Sequence, residues 1–335
     1  MAANENLHKA KDAKNDEFYT QLTDIEKELM YYKAHFRNKI VLCNCDDPEW
    51  SAFWKYFHLN FEKFGLKKLI STYYDKEKPT YKMEYDGGDD NDITVGVKIP
   101  LVGNGDFRSQ ECLDILDECD IVCTNEPFSL FREYVAVLME HDKKFLIIGN
   151  KNAITYKEFF PLLKDNKVWI GCNNVKEFLQ PDGSIKKFGN IGWFTNLDIA
   201  KRYEKLVLCE HYAPEKYSKY DNYMAWNVNK VSKIPCDDYI DIDINESELD
   251  LYKSVYPDLE ILSDESDIKV RIKNPVWGVP ITFMDKYNPM DFEIVGADEA
   301  EGTGFSNGLY IQGSKYKQCY ADGKRIYKRI FIRKR

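Results

Sequence analysis

No apolar run in this 335-residue chain approaches the roughly 20 residues needed to span a bilayer. The stretch MAANENLHKAKDAKNDEF at the start is polar and has no signal-type hydrophobic segment, so a soluble, cytoplasmic protein is expected. A G-x-G-x-x-G fingerprint is missing after the first strand pattern, and Gly103-Asn104-Gly105 has no third glycine, which argues against a nicotinamide or flavin enzyme. There is no phosphate-binding Walker loop, no H-E-x-x-H and no G-x-S-x-G. With five scattered histidines, a His-based nucleophilic triad has little support. Nine cysteines are present, but beside Cys43 and Cys45 no second close pair completes a zinc set. Cys119 and Cys123 straddle the start of an apolar strand. Buried free thiols in a reducing compartment, and no metal, are the expectation.

Charge is present but unevenly placed. The net charge is −9, yet Asp237–Asp267 carries 12 acidic residues against Lys253 alone, which leaves the remainder at +2. From Lys315 to the end, nine Lys/Arg face a single acid, Asp322. A positive surface there suits a phosphate backbone and equally suits a solvated basic tail.

Residues 1–16 read as a mobile arm. Thr23-Asp24-Ile25-Glu26 has capping-box form, with Ile25, Leu29 and Tyr32 following at helical spacing. Lys39–Cys45 reads as a buried strand. The helix after Asp46-Asp47-Pro48 has an aromatic stripe of Trp50, Phe53, Trp54, Phe57, Phe61 and Phe64. Further strands are expected at Lys67–Tyr74, Ile93–Ile99, Asp120–Thr124, Lys144–Gly149, Lys167–Gly171 and Ile191–Asn196. Helices are expected after Ser109, over Phe131–Met139 and over Ile154–Leu163. The pattern predicts an α/β, doubly wound, mostly parallel seven-stranded sheet with an antiparallel edge pair, whose ligands bind at the strand carboxyl ends. Near residue 200 the alternation stops. Residues 1–200 are therefore expected to form the catalytic domain and 201–335 a smaller C-terminal domain with an acidic insertion at 237–267.

The chemistry-bearing stretch is Asn125-Glu126-Pro127-Phe128, between a strand and a helix. The Asn amide oxygen and the following backbone carbonyl can accept both hydrogens of an exocyclic amine, and a phenyl ring can stack on the heterocycle that bears it. Alone, N-x-P-F is also an ordinary turn before a helix.

The longer stretch D-I-V-C-T-N-E-P-F-S-L-F-R-E-Y (120–134) resembles the N-P-P-F catalytic motif of the EcoRI-type adenine-specific (N6) DNA methyltransferase family. DEFYTQ (16–21), CNCDDP (43–48), GDFRSQE (105–111), KKFLIIGNKNAITYKE (143–158), WFTNLD (193–198) and GVPITF (278–283) are similar to that family in the same order. The resemblance implies a methyltransferase sheet, S-adenosylmethionine as donor without a metal, and a flipped adenine in duplex DNA as acceptor. It implies a restriction-modification role, a C-terminal target-recognition domain, a monomer, and a bacterial or phage-encoded protein associated with the nucleoid when acting; GAATTC is the target it suggests. It assigns Asn125, Glu126, Pro127 and Phe128 to catalysis. It assigns Phe18, Tyr19 and Thr20, the loop residues Cys43, Asn44 and Asp46, and Asp75, Asp106 and Phe107 to the donor. Asp75 reads equally as a turn residue and Asp106 as a helix-entry residue.

Glu126 departs from the family pattern, which has proline there. The backbone carbonyl survives the exchange, but proline's fixed φ is lost and a carboxylate is introduced near the target amine. Weakened or abolished turnover, with DNA and cofactor binding largely kept, is the expectation. A catalytically silent DNA-binding relative, and methylation of another planar amine or amide in RNA or protein, are the competing readings.

Overall fold

The computed structural model describes residues 19–44, 47–76, 80–179, 184–263, 268–298 and 305–335. The arm expected at 1–16, Phe18, Cys45 and Asp46 lie outside them. Two compact units are present: one takes the chain up to Ala153 together with Val168–Ile199, the other takes Ile154–Lys167 and Ala200–Arg335.

The first unit is built on a nine-stranded sheet. Its strands are β1 (Tyr19–Thr20), β2 (Ile40–Cys43), β3 (Lys68–Thr72), β4 (Tyr81–Tyr85), β5 (Val97–Pro100), β6 (Ile121–Thr124), β7 (Lys144–Asn150), β8 (Trp169–Leu179) and β9 (Ile185–Thr195), in the spatial order β1-β8-β9-β7-β6-β2-β3-β4-β5. Among the described residues, parallel pairing joins β3 to β2, β2 to β6 and β6 to β7, while β3 and β7 are antiparallel to their outer neighbours β4 and β9. Their sequences (LIST, IVLC, IVCT, FLIIG) are apolar and buried on both faces, as a sheet centre covered by helices requires.

The sheet corrects the sequence reading in two ways. Among the described residues the sheet has nine strands where seven were expected, and its parallel pairing is at the centre. The antiparallel pair β8–β9 is present, with β1 added antiparallel outside it, and β4 and β5 extend the other edge antiparallel. In Tyr81-Lys82-Met83-Glu84-Tyr85 the two tyrosines are buried and the three residues between them half-buried, and Lys68 and Lys82 pair with Glu84 at 2.9 and 2.7 Å; such a strand has no apolar run to betray it.

The helices of this unit are α1 (Leu22–Leu29), α2 (Ala52–Leu59), α3 (Phe61–Phe64), α4 (Gln110–Glu118) and α5 (Phe131–Glu140). Helix α1 starts earlier than the expected capping box: Gln21 is its N-cap without a side-chain bond, and Thr23 already lies inside the first turn. Ser51 caps α2 by accepting from the Trp54 N–H, so Trp50 falls before the helix and is 68% exposed, outside the core stripe it was assigned to. Ser109 does cap α4, accepting from Cys112 N–H. Phe36, Tyr56, Phe57 and Phe64 meet edge-on or tilted at 5.2–5.9 Å, pairs worth about 0.5–1.5 kcal/mol each beyond area burial. Gly149 in β7 faces the Phe131 ring so closely that a Cβ would sit 2.3 Å from it.

The second unit contains α6 (Phe160–Lys164) and α7 (Leu249–Val255) with β10 (Trp226–Asn227), β11 (Tyr239–Ile244), β12 (Glu260–Ser263), β13 (Ile268–Lys273), β14 (Trp277–Pro280), β15 (Phe292–Ala297), β16 (Tyr320–Ala321), β17 (Lys324–Arg325) and β18 (Arg329–Lys334). Helix was expected over Ile154–Leu163; the α-helical part is five residues preceded by a 3-10 turn at Lys151–Thr155. A β10-β14-β18-β15 sheet packs Tyr220, Tyr223, Trp226, Trp277 and Phe331, and the acidic stretch folds into a β11-β13-β12 sheet. The basic end is partly consumed by this core. Arg329 is buried against Asn227, and Arg333 pairs with Glu293 at 2.8 Å. Lys324 and Arg325 stay exposed on a hairpin whose Asp322-Gly323 turn has both φ positive (51° and 70°). Among the described residues, no helix is long and apolar enough to cross a membrane. Among the described cysteines, Cys43, Cys112, Cys119, Cys123 and Cys319 are buried, and burial pushes the Cys119 thiol up to about 12.

Candidate active site

Strand β2 leads outward to β3, whereas β6, on the other side of β2, leads away to β7. The connections part between β2 and β6, which opens a crevice at their carboxyl ends. The residues that end these strands are Asn44 and Asn125. They are tied together, since the Thr124 hydroxyl donates to the Asn44 carbonyl. On the other flank of β2, Ser71 Oγ donates to the Cys43 carbonyl at 2.7 Å.

Asn125 is 7% exposed and Glu126 only 2%. Pro127 and Phe128 are half-buried, and Leu130 N–H closes a turn on the Pro127 carbonyl at 2.9 Å before α5 begins. The Phe128 ring is held edge-on by Phe178 and Phe188, both at 6.2 Å and near-perpendicular. Thr20, buried in β1, is paired in register with Phe178, so the N-terminal strand abuts the aromatic group around Phe128. Tyr19 pairs with Leu179 on the same strand.

The Gly103–Phe107 loop comes to the same crevice. Gly105 has φ +74°, and a Cβ there would lie 1.9 Å from the Tyr73 carbonyl, so the loop can only tuck under the end of β3 as glycine. Asp75 N–H donates to the Asn104 carbonyl at 3.2 Å and Thr80 Oγ1 to the Gly103 carbonyl at 2.9 Å. Asp106 is engaged with Arg108, its two carboxylate oxygens receiving Nε at 2.9 Å and Nη2 at 2.7 Å. Those hydrogen bonds hold its carboxyl below the usual Asp range. Phe107 packs edge-on against Tyr134 at 5.1 Å, and the Tyr134 hydroxyl donates to Asn44 Oδ1.

One wall thus runs Phe107, Tyr134, Asn44, Thr124 to Asn125. Tyr134 falls within the helix expected over Phe131–Met139 and Thr124 ends the strand expected at Asp120–Thr124; the hydroxyls that distinguish them from Phe and Val are the missed signal. Lys151, just past β7, is also buried, its Cε lying where a Cβ on Gly192 would come within 2.6 Å. A buried lysine beside strand ends is a further residue the sequence pattern did not mark.

A parallel-centred α/β sheet with Asn-x-Pro-Phe beyond one of its central strands is consistent with a methyltransferase fold. The comparisons give the family: its description is "Adenine-specific methyltransferase EcoRI", it matches residues 6–253 and 252–335, and the chain belongs to it. The chain is 39% identical to the type II methyltransferase M.EcoRI of Escherichia coli, over 99% of this chain and 97% of that protein. It is 32% identical to the type II methyltransferases M.MpnI of Mycoplasma pneumoniae and M.MgeORF184P of Mycoplasma genitalium, over 98% of each chain. No solved structure matches it.

Proposed function

We propose that this protein is a restriction-modification DNA methyltransferase that transfers a methyl group from S-adenosylmethionine to the N6 amine of an adenine flipped out of duplex DNA. The carrying observation is that Asn125 and Phe128 stand at the switch point, joined to Asn44 through Thr124. The other relatives' names agree with this class of reaction.

When bound, the donor supplies an electrophilic methyl group on a sulfonium sulfur. The crevice fits such a nucleoside: Phe107 offers an apolar surface backed by Tyr134, and the Gly105 turn brings the loop close to β3. Asn44, oriented by Tyr134, and Asp75 line the polar side, with Thr20 and the Cys43 carbonyl region flanking them; Phe18, Tyr19 and Asp46 complete the set in this proposal. Asp106 acts through its Arg108 pair, which fixes the loop.

On the acceptor side, the Asn125 amide oxygen and the carbonyl of Glu126 take the two N–H bonds of the amine. That shifts the nitrogen toward tetrahedral geometry and localises its lone pair, which is otherwise delocalised into the ring. Phe128, its orientation set by Phe178 and Phe188, stacks on the base, and Pro127 shapes the turn between them. The second unit reads the target sequence, with exposed Lys and Arg on phosphates.

Glu126 slows this chemistry in our reading. Its buried carboxylate sits beside the amine-gripping groups, and the loop lacks the fixed φ of proline. The same residue favours the second reading, a DNA-binding relative without turnover. Tritiated methyl transfer to genomic DNA, followed by nucleoside analysis, separates them. N6-methyladenine supports the transferase. Salt-dependent duplex binding with no incorporation selects the silent binder, and label in another nucleoside overturns both.

A further inference from the structure

The second unit holds a side-chain cluster that methyl transfer does not use. His211 Nδ1 lies 2.9 Å from Asp237 Oδ1 and 3.6 Å from Cys236 Sγ, and the three potential ligand atoms fall within 4.8 Å of one another. The backbone sets this up. Glu210 and Pro235 form a parallel bridge, and Cys236 N–H donates to the Glu210 carbonyl at 2.7 Å, so the residues after each bridge partner, His211 and Cys236, face the same way. The second oxygen of Asp237 accepts from Tyr212 N–H at 2.6 Å, which pins the carboxylate. Lys334 donates to the carbonyls of Cys236 and Asp237 and to Asp238 Oδ1 at 3.3 Å, tying the turn to β18.

This geometry does not suit a nucleophilic triad. There the nucleophile and the carboxylate occupy opposite nitrogens of the imidazole. Here the carboxylate is on Nδ1, and the sulfur is nearer Nδ1 (3.6 Å) than Nε2 (3.9 Å). The carboxylate is hydrogen-bonded to Nδ1, and the thiol comes to the same side of the ring, so all three donors could face one cation in place of that hydrogen bond. Tetrahedral zinc, with Zn–S about 2.3 Å and Zn–N about 2.0 Å, places sulfur and nitrogen about 3.6 Å apart. The histidine–aspartate separation has to widen by only about 0.4 Å to fit the same ion. A thiolate and a carboxylate also offset the charge of a divalent cation.

We propose that His211, Cys236 and Asp237 bind one zinc-class divalent ion, with a fourth position open to solvent, and that the ion fastens the segment at His211 to the turn 25 residues further on. Mixed N, S and O donors of this kind favour zinc or cobalt over magnesium or calcium.

The test is a Co2+ titration of the metal-free full-length chain, read by thiolate-to-cobalt charge-transfer absorption, with Zn2+ as competitor. One equivalent should bind and be displaced by zinc. Cys236→Ser should abolish the charge-transfer band. His211→Gln changes an exposed side chain, so folding is expected to be unaffected, and it should weaken binding about 100-fold. Saturating zinc should raise the unfolding temperature of the unaltered chain by about 5 °C and leave that of His211→Gln unmoved. Absence of stoichiometric binding overturns the proposal. So does binding that both variants leave unchanged, since the ion would then sit on other cysteines.

Discussion

Two glutamates are buried in the same α/β unit, Glu28 at 0% and Glu126 at 2% exposure, and they do different things. Glu28 accepts from the N–H groups of Cys172 (2.6 Å) and Asn173 (2.8 Å), the Asn173 amide (2.9 Å) and the Tyr32 hydroxyl (2.9 Å). It locks α1 onto the irregular stretch of β8 where the register shifts between Ile170 and Asn174. Gly171 is required there, because a Cβ would lie 2.3 Å from Glu28 Oε1. Glu126 instead occupies a strand-end turn between Asn125 and Pro127, where we propose that the ligands bind. Burial alone does not distinguish an anchor from a site residue; the position relative to the strand ends does.

The sharpest way to break that distinction is Asn125→Ala. Methyl incorporation should fall about 10³-fold, roughly 4 kcal/mol of barrier, with the unfolding temperature almost unchanged. Transfer surviving within tenfold would move the chemistry elsewhere.

Glu28→Ala should do the reverse. Leaving several buried donors unsatisfied should remove about 3 kcal/mol of stability in urea unfolding, while the folded fraction keeps its transfer rate within about twofold. A rate loss out of proportion to unfolding would place Glu28 in the site.

Glu126→Pro tests the other glutamate. Turnover should rise about tenfold, with stability unchanged or slightly improved through the restrained loop. Equal rates in the two proteins would sink the idea that Glu126 impairs transfer.

The smallest effect expected is in pH dependence. Burial raises the Glu28 carboxyl above its ordinary range, against the opposing hydrogen bonds. The folded state therefore holds that proton more tightly than the unfolded one. Stability from this group is greatest in acid and declines as pH rises from the ordinary Glu value to the raised one. The Asp106–Arg108 pair runs oppositely: its contribution is present at neutral pH and is lost as pH falls through the lowered Asp106 value. Urea titrations of Glu28→Gln and Asp106→Asn across about pH 3 to 8 should each flatten one limb of the curve.

How much was legible beforehand follows from burial. Strands β2, β6 and β7 announce themselves because both faces are apolar, and Ser109 as a cap because a helix start needs a side-chain acceptor. β4 was missed because its middle residues, Lys82, Met83 and Glu84, are only half-buried and its charges are paired, which leaves no apolar run. Trp50 was misplaced because periodicity does not say where a helix begins; Ser51 does. His211 and Cys236 gave no motif, being 25 residues apart on segments that only a backbone bridge brings into step.

By itself, then, the order of residues determined the central strands, the Asn125–Phe128 turn and, through its resemblance, the family. These are local or chain-long patterns that need no knowledge of what packs where. Tertiary structure alone decided that Asn44 and Asn125 end adjacent strands whose connections diverge, that Tyr134 spans from Phe107 to Asn44, and that Glu28 is an anchor. Each depends on contacts between residues 27 to 145 positions apart, whose pairing is set by the fold and not by any interval in the chain.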